Sequence, residues 1–289
     1  MKMKHVFPAL VITILVLTGI VIGAFAEDGR SESAGRLEET RIRVFETSDI
    51  HGYLPDTSSG DEHTVLLSDQ VEGLHVNIQH TADSPAWVTN LPAAQAAEQL
   101  FVVAAMGMDK TTAYITMHQK DADGNWKQIL STPGFVGRNG LCLDEDRREG
   151  CGQTPAGIYH FNKAFGIATD PGCAIPYIQV DDNTYWSGDP DRQYNEMVDI
   201  RDVPDLVMDD SEHIVDYEYQ YQYCLNISFN EEGTPGRGSA IFLHCFGPAK
   251  PYTGGCVAVP ENIMRMIMQQ VSPECVVIID TLENLGGSF

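Results

Sequence analysis

Basic residues are scarce in this chain. Its 289 residues include 18 Lys and Arg against 41 Asp and Glu, which gives a formal net charge of −23 at pH 7. Nucleic-acid binding needs basic patches that face the phosphates, so the composition argues against a nucleic-acid partner. The simplest consequence of this charge is a soluble surface that repels other copies of itself.

Long apolar runs are absent after the first 26 residues. The chain opens with Lys2 and Lys4, an apolar run over residues 6–23, and the small-x-small sequence Ala24-Phe25-Ala26. This order is typical of a signal peptide cleaved after Ala26. We therefore expect a protein that works outside the cytoplasm, secreted or in the cell envelope. If the segment stayed uncleaved, it would act as an N-terminal anchor, which is the one membrane contact we expect.

Metal-binding motifs are a third absence. Seven cysteines are present, but none forms a C-x-x-C pair or a Cys/His cluster with zinc spacing. Asp49 and His51 follow a short apolar run and resemble the first ligand motif of calcineurin-like metallophosphatases. The further Gly-Asp, Gly-Asn-His and His-x-His ligand blocks of those enzymes are missing, so we interpret the motif as chance or a remnant. We expect no metal and no cofactor.

Short apolar segments separated by turn residues predict a mostly-β fold from residue 92 onward. The sequence Asp121-Ala-Asp-Gly-Asn125 between two apolar runs is typical of a β-hairpin turn. Pro260, followed by apolar residues at helical spacing up to Val271, predicts the best helix. We divide the chain into a signal peptide (1–26), a linker and N-terminal extension of unclear structure (27–91), and one folded domain (92–289).

The most informative stretch contains His244 at the end of an apolar strand and Cys256 in a glycine-flanked turn. A thiol nucleophile needs a base that holds its proton, and backbone N–H groups that hold an oxyanion. Thr253, Gly254 and Gly255 build the turn, and the N–H groups of Gly255 and Cys256 are the expected oxyanion donors. The alternative is a Cys256 that is paired in a disulfide and a His244 that only fills the core.

Residues around this pair favour the first alternative. The segments Gly238–His244 and Tyr252–Pro260 resemble the L,D-transpeptidase catalytic-domain family (YkuD-type), in which His and Cys form the catalytic pair. Upstream, Glu149–Tyr159 and Tyr185–Asn195 are similar to further segments of that family. The resemblance implies a mostly-β fold, an L,D-transpeptidase-like β-sandwich with one or two short helices packed on it, and a catalytic domain over 92–289.

The chain departs from the better-known branch of the family, which has His directly before the Gly-Cys pair and Arg soon after it. Gly254 and Ala258 stand at those positions, so the resemblance is to the short-loop branch. Cys245 beside His244 could compete as the thiol. Outside the cytoplasm most cysteines pair and an odd number leaves one over. Cys142 and Cys151 are expected partners, and Cys173, Cys224, Cys245 and Cys275 could form two further bridges.

The resemblance implies acyl transfer on peptidoglycan stem peptides. Cys256 would form a thioester with His244 as base, and an amine of a second stem would resolve it into an L,D cross-link. Tyr185, Trp186 and Tyr252 are the expected substrate-binding residues, with a core role as the alternative for the first two. Other functions left open are an L,D-carboxypeptidase, which uses water, and a non-catalytic, disulfide-rich wall-binding protein. We expect a monomer whose partners are the stem peptides.

Overall fold

The computed structural model describes residues 66–67, 76–77, 81–247 and 250–288. All of them belong to the unit that spans residues 41–289. The expected signal peptide and the Asp49-x-His51 motif lie outside the described residues. Within the described ranges, no helix has the length and apolar character that a membrane span requires.

Strands dominate the described structure. Their bounds are β1 (Leu66–Leu67), β2 (Val76–Asn77), β3 (Ala82–Asp83), β4 (Gln99–Ala105), β5 (Thr112–Lys120), β6 (Trp126–Phe135), β7 (Leu141–Leu143), β8 (Thr154–Gly166), β9 (Tyr177–Gln179), β10 (Thr184–Trp186), β11 (Met197–Asp199), β12 (Glu212–His213), β13 (Cys224–Ile227), β14 (Phe242–Cys245), β15 (Val257–Val259) and β16 (Val276–Thr281). The α-helices of this part of the chain are α1 (Ala86–Thr89) and α2 (Glu261–Gln270). The expected mostly-β fold with short helices is confirmed.

The long strand β8 joins two layers of the main sheet. Its first half, at Gly157–His160, pairs with β16, and its second half, from Phe161 to Phe165, pairs with β13. One layer therefore runs β6-β5-β4-β16-β8, and the other runs β8-β13-β14-β15. At the opposite edge the layers meet through the single pair Ala258 and Phe135. The sandwich is thus closed by hydrogen bonds along both edges.

Side chains of both layers fill one central core, and the alternation along β4 shows how. Phe101 and Val103 point into this central core, where Ile115, Leu225 and Leu243 also lie. Leu100 and Val102 point the other way, into an outer core with α1 and the C-terminal segment. Because both faces of β4 are covered, all seven of its residues are buried and the strand is a continuous apolar run.

Two local predictions from the sequence are confirmed. The hairpin β5–β6 forms around Asp121, whose carboxylate accepts the N–H groups of Asp123 and Asn125 at 3.0 and 2.8 Å. Helix α2 begins after Pro260 and ends at Gln270, and its face of Ile263, Met264, Ile267 and Met268 packs into the central core. The apolar residues at helical spacing fold as the periodicity predicts because one face of this helix covers the sandwich.

Packed structure also extends upstream of residue 92. Strand β3 pairs with β6, and Val88 of α1 is fully buried in the outer core. The Ser84 hydroxyl lies 2.8 Å from Nδ1 of His118 on β5. The domain boundaries themselves stay predictions.

All seven cysteines are free thiols in this structure, which therefore contains none of the expected bridges. Cys142 and Cys151, the first expected pair, are hydrogen-bond partners. Burial raises the pKa of the Cys142 thiol to about 11, and the neighbouring Cys151 adds to the shift. Their disulfide stays a prediction.

Candidate active site

A cavity of about 750 Å³ lies where strands β14 and β15 meet the surrounding loops. Several sequence-predicted residues line it, namely His244, Tyr252, Thr253, Gly254, Gly255 and Cys256. Two charged residues from distant parts of the chain, Arg147 and Glu212, also line it. Trp186 and Tyr185 are not among the residues that line this cavity.

Parallel pairing of β14 and β15 brings the two chemical groups to one place. Leu243 is opposite Val257, and His244 is opposite Ala258. The chain therefore crosses back between His244 and Cys256 and re-enters in the same direction, whereas a simple turn would give antiparallel strands. As a result Cys256 lies beside the start of β14, and the Phe242 N–H points at its Sγ at 3.4 Å.

The Cys256 thiol is held by backbone groups. It is 7% exposed and donates a hydrogen bond to the carbonyl oxygen of Ala240 at 3.1 Å. Burial is the main reason that the pKa of this thiol rises to about 12, and the charge of Glu212 adds to the shift. The hydrogen bond from Phe242 and the charge of Arg147 act in the opposite direction. The resting site therefore contains a thiol and not a thiolate.

One ring nitrogen of His244 is hydrogen-bonded, and the other has no hydrogen-bond partner in the described structure. Its Nδ1 lies 2.7 Å from the carbonyl oxygen of Cys245. A carbonyl oxygen can only accept, so Nδ1 carries the hydrogen and Nε2 carries the lone pair. Burial lowers the pKa of the imidazole to about 4, which keeps the ring neutral at physiological pH. A neutral imidazole with a free lone pair can take a proton from a thiol.

Thr253 fixes the turn before Cys256. Its hydroxyl donates to the Cys256 carbonyl at 2.7 Å and accepts the Gly255 N–H at 3.1 Å. Gly255 has φ +147°, a left-handed conformation that favours glycine. The Gly255 N–H, one of the two expected oxyanion donors, is therefore occupied by Thr253 in this structure. The hydroxyl of Thr154, which the sequence did not single out, donates to the same Cys256 carbonyl at 3.0 Å.

Trp186 lies in the core beneath the site and contacts it through other residues. It is 2% exposed and packs on Phe165 and Phe242. Its indole N–H donates to Oδ1 of Asn195 at 3.0 Å, and the same oxygen accepts the N–H of Ala240 at 2.9 Å. Ala240 has φ +55° and its carbonyl accepts the Cys256 thiol. This chain of contacts makes Trp186 a support of the thiol position.

The other two expected substrate-binding residues differ in position. Tyr252 is 38% exposed at the cavity, with the Lys250 ammonium 6.0 Å from its ring centre. Tyr185 stacks on His213 with ring centres 4.4 Å apart. The structure thus brings Tyr252, but not Tyr185, to the cavity that His244 and Cys256 line.

Cys245 does not share the cavity with its neighbour. Successive residues of a strand face opposite sides, so Cys245 points into the central core while His244 faces the cavity. Its thiol lies 3.8 Å from the carbonyl of Tyr223. The expectation that Cys245 could compete with Cys256 as the thiol is not supported by this geometry.

Arg147 and Glu212 reach the cavity from segments that sequence reasoning left without a role. Arg147 is 3% exposed, and its Nε has no hydrogen-bond partner in the described structure. Glu212 accepts the hydroxyl of Tyr221 at 2.6 Å. Burial raises the pKa of this carboxyl to about 7. Only the tertiary fold places these two residues on the cavity that Cys256 lines.

Comparison with known proteins gives one family match and several similar solved structures. The family profile of the L,D-transpeptidase catalytic domain (YkuD) matches residues 108–279. Similar solved structures include the helical cell shape determining protein Pgp2 from Campylobacter jejuni, with 12% identity over 64% of this chain and 48% of that chain, at a TM-score of 0.34. The Ldtfm-avibactam carbamoyl enzyme matches with 12% identity over 64% of this chain and 49% of that one, at a TM-score of 0.29. The matched region thus spans about half of each solved chain, and no curated protein matches.

Proposed function

The chain belongs to the L,D-transpeptidase catalytic domain family, and on that premise we propose that it is a secreted cysteine acyltransferase that acts on peptidoglycan stem peptides. One observation carries the proposal. Cys256 and His244 line the same cavity, and the basic Nε2 of His244 has no hydrogen-bond partner in the described structure. Among the described residues, backbone carbonyl groups hold both side chains in position.

Acylation follows from these positions. The thiol leaves the Ala240 carbonyl and gives its proton to Nε2 of His244. The thiolate attacks the carbonyl carbon of an L–D peptide bond in the donor stem, and a C–S bond forms. When the tetrahedral intermediate collapses, the C–N bond breaks and the departing amine takes the proton back from His244. The Phe242 N–H, which points at the sulfur, favours the thiolate during this step.

The thioester is resolved by an acceptor. An amine from a second stem peptide gives a cross-link, whereas water gives an L,D-carboxypeptidase. Both reactions use the same acyl-enzyme, so the nature of the acceptor decides the activity.

A pair of cysteine variants tests the proposal. We expect a carbapenem to add one covalent equivalent to the mature wild-type protein and to Cys245→Ala, and none to Cys256→Ala, as measured by intact mass. Cys245→Ala is the matched control because its thiol is buried in the central core next to His244. With a stem tetrapeptide, a dimeric product indicates transfer and a tripeptide indicates hydrolysis. Acylation that survives in Cys256→Ala would refute the assignment, and a wild type without any adduct would favour the non-catalytic wall-binding protein.

Secretion belongs to the same proposal and is supported by the sequence of residues 1–26 alone. The mass of the protein recovered from the envelope or the medium of its host tests it. Cleavage after Ala26 removes Lys2 and Lys4 and no acidic residue, so the mature chain has a formal charge of −25, two lower than −23.

A further inference from the structure

The cavity contains a carboxylate that acylation does not use. Glu212 lies on β12, which pairs with β10, and its side chain lines the cavity with Cys256 and His244. Its Oε2 accepts the hydroxyl of Tyr221 at 2.6 Å. The Tyr221 ring in turn meets the His244 ring edge to face, with centres 5.5 Å apart. Carboxylate, phenol and imidazole thus form one connected row along the cavity wall.

We propose that Glu212 receives the acyl acceptor: its carboxylate binds the incoming ammonium group and removes the proton that must leave before the nitrogen attacks the Cys256 thioester. The inference rests on the proposed acyl transfer and adds a residue to its second half. Within the described structure the groups that act on Glu212 are Tyr221 and Glu149, and no cation is among them, although Arg147 lines the same cavity. Glu212 is partly buried, so its carboxylate without a cation beside it is costly, and an ammonium ligand would supply the missing charge.

Counting protons shows why a second base is needed. An alkylamine is an ammonium ion at neutral pH, and its conversion into an amide releases two protons. His244 has one lone pair, on Nε2, and can take only one of them. In the proposed order of steps Glu212 takes the first proton, and the free amine then attacks the thioester carbon. The C–S bond then breaks with its electron pair on sulfur, and His244 takes the second proton.

Water needs only one of these bases. It enters uncharged and gives up a single proton as it attacks, which His244 can accept. Glu212 therefore distinguishes an amine acceptor from water. The groups that act on its ionisation are Tyr221, whose hydrogen bond favours the carboxylate, and Glu149, whose charge opposes it. With burial as the largest cause, the pKa of Glu212 lies at about 7, which suits a group that takes and releases a proton near neutral pH.

The test compares two acceptors on the same acyl-enzyme. A simple alkylamine is protonated near pH 7, whereas hydroxylamine is already largely neutral and needs no base before attack. The readout is the ratio of the aminolysis rate constants for the alkylamine and hydroxylamine, followed by mass spectrometry of the acyl-enzyme. In Glu212→Gln we expect this ratio to fall about 100-fold, within the range typical of a lost general base. The glutamine keeps an oxygen that can accept the Tyr221 hydroxyl.

Asp210→Asn is the matched control, since Asp210 is an exposed carboxylate that also lines the cavity. If negative charge alone attracted the ammonium, both variants would lower the ratio equally, and the proposal would be wrong. An unchanged ratio in Glu212→Gln would overturn it as well. A wild type that forms the acyl-enzyme but transfers it only to water would overturn the role of Glu212 while leaving the acylation proposal intact.

Tyr221→Phe provides a second variant if Glu212→Gln does not fold. Loss of the phenol removes a hydrogen bond that lowers the pKa of Glu212. The pH at which alkylamine transfer reaches half of its maximum should therefore shift upward, while hydroxylamine transfer shows no such shift. A pH profile that is the same for Tyr221→Phe and wild type would contradict the connection between the two residues.

Discussion

Two buried histidines in this fold differ in how many of their ring nitrogens are hydrogen-bonded. His118 on β5 is 0% exposed, and both of its nitrogens are bonded, Nδ1 to Ser84 and Nε2 to Thr116, each at 2.8 Å. His244 on β14 is 6% exposed, but only Nδ1 is bonded, and Nε2 has no partner in the described structure. Burial lowers the pKa of His118 to about 3 and that of His244 to about 4.

The difference between them is therefore not charge or burial. A buried imidazole with two satisfied nitrogens is a structural bridge, and here it ties Ser84 of the N-terminal segment to the sheet. An imidazole with one nitrogen directed to a cavity keeps its lone pair for a reaction. A histidine that only fills the core, the alternative that the sequence left open for His244, describes His118, and the role of His244 as base stays a prediction.

The largest effect should come from His244→Gln. This change removes the basic nitrogen, so the rate of Cys256 acylation should fall about 1000-fold, within the range expected for loss of a general base. The measurement is the single-turnover rate of adduct formation with a carbapenem, with a thermal melt to confirm folding. If the variant is acylated at a rate within a few-fold of the wild-type rate, His244 is not the base and the functional distinction between the two histidines is wrong.

A smaller effect, on stability, should come from His118→Leu. Leucine leaves the Ser84 and Thr116 hydroxyls without their ring partners, and the free energy of unfolding should fall by about 2–3 kcal/mol. Denaturant unfolding measures this loss. The acylation rate of the folded variant should match that of the wild type, because His118 lies outside the cavity. A rate that falls as far as in His244→Gln would show that the two histidines are not functionally distinct.

Sequence reasoning succeeds here where the signal is local. The hairpin around Asp121 and the helix after Pro260 each depend on a few adjacent residues, and both form as predicted. His244 and Cys256, which the sequence predicts to lie close together, line one cavity, although the strand pairing that brings them there differs from the simple return expected.

Sequence reasoning fails where contacts join distant segments. For Trp186 the sequence left a groove role and a core role open, and the choice depends on the distant contacts with Asn195 and Phe242 that hold it in the core. Glu212 on β12 and Arg147 enter the cavity from segments far apart in sequence, and the sequence analysis assigned a role to neither. The parallel pairing of β14 with β15 is also a property of the whole sheet, because the short connection alone suggests a simple return.

The smallest expected effect is the pH dependence of the His118→Leu penalty. The unfolded chain binds a proton at His118 below about pH 6.5, whereas the folded protein does so only near a pKa of about 3. This histidine therefore destabilises the wild type on acidification, by about 1.4 kcal/mol per pH unit below about pH 6.5. The penalty of His118→Leu should shrink by about 2 kcal/mol between about pH 6.5 and pH 5.

The quantity to measure is the difference in the free energy of unfolding between variant and wild type at each pH, since other groups titrate in the same range. The effect of Glu212 on stability is opposite to that of His118. Because the pKa of Glu212 is raised to about 7, acidification neutralises its carboxylate and removes the cost of desolvating that charge. Denaturant unfolding of both proteins at matched pH values cancels that contribution. His244→Gln should follow the same trend, since the pKa of His244 is lowered to about 4 by the same cause. A penalty that is constant or grows on acidification would mean that His118 is not held neutral, and the two histidines would then differ in charge as well as in bonding.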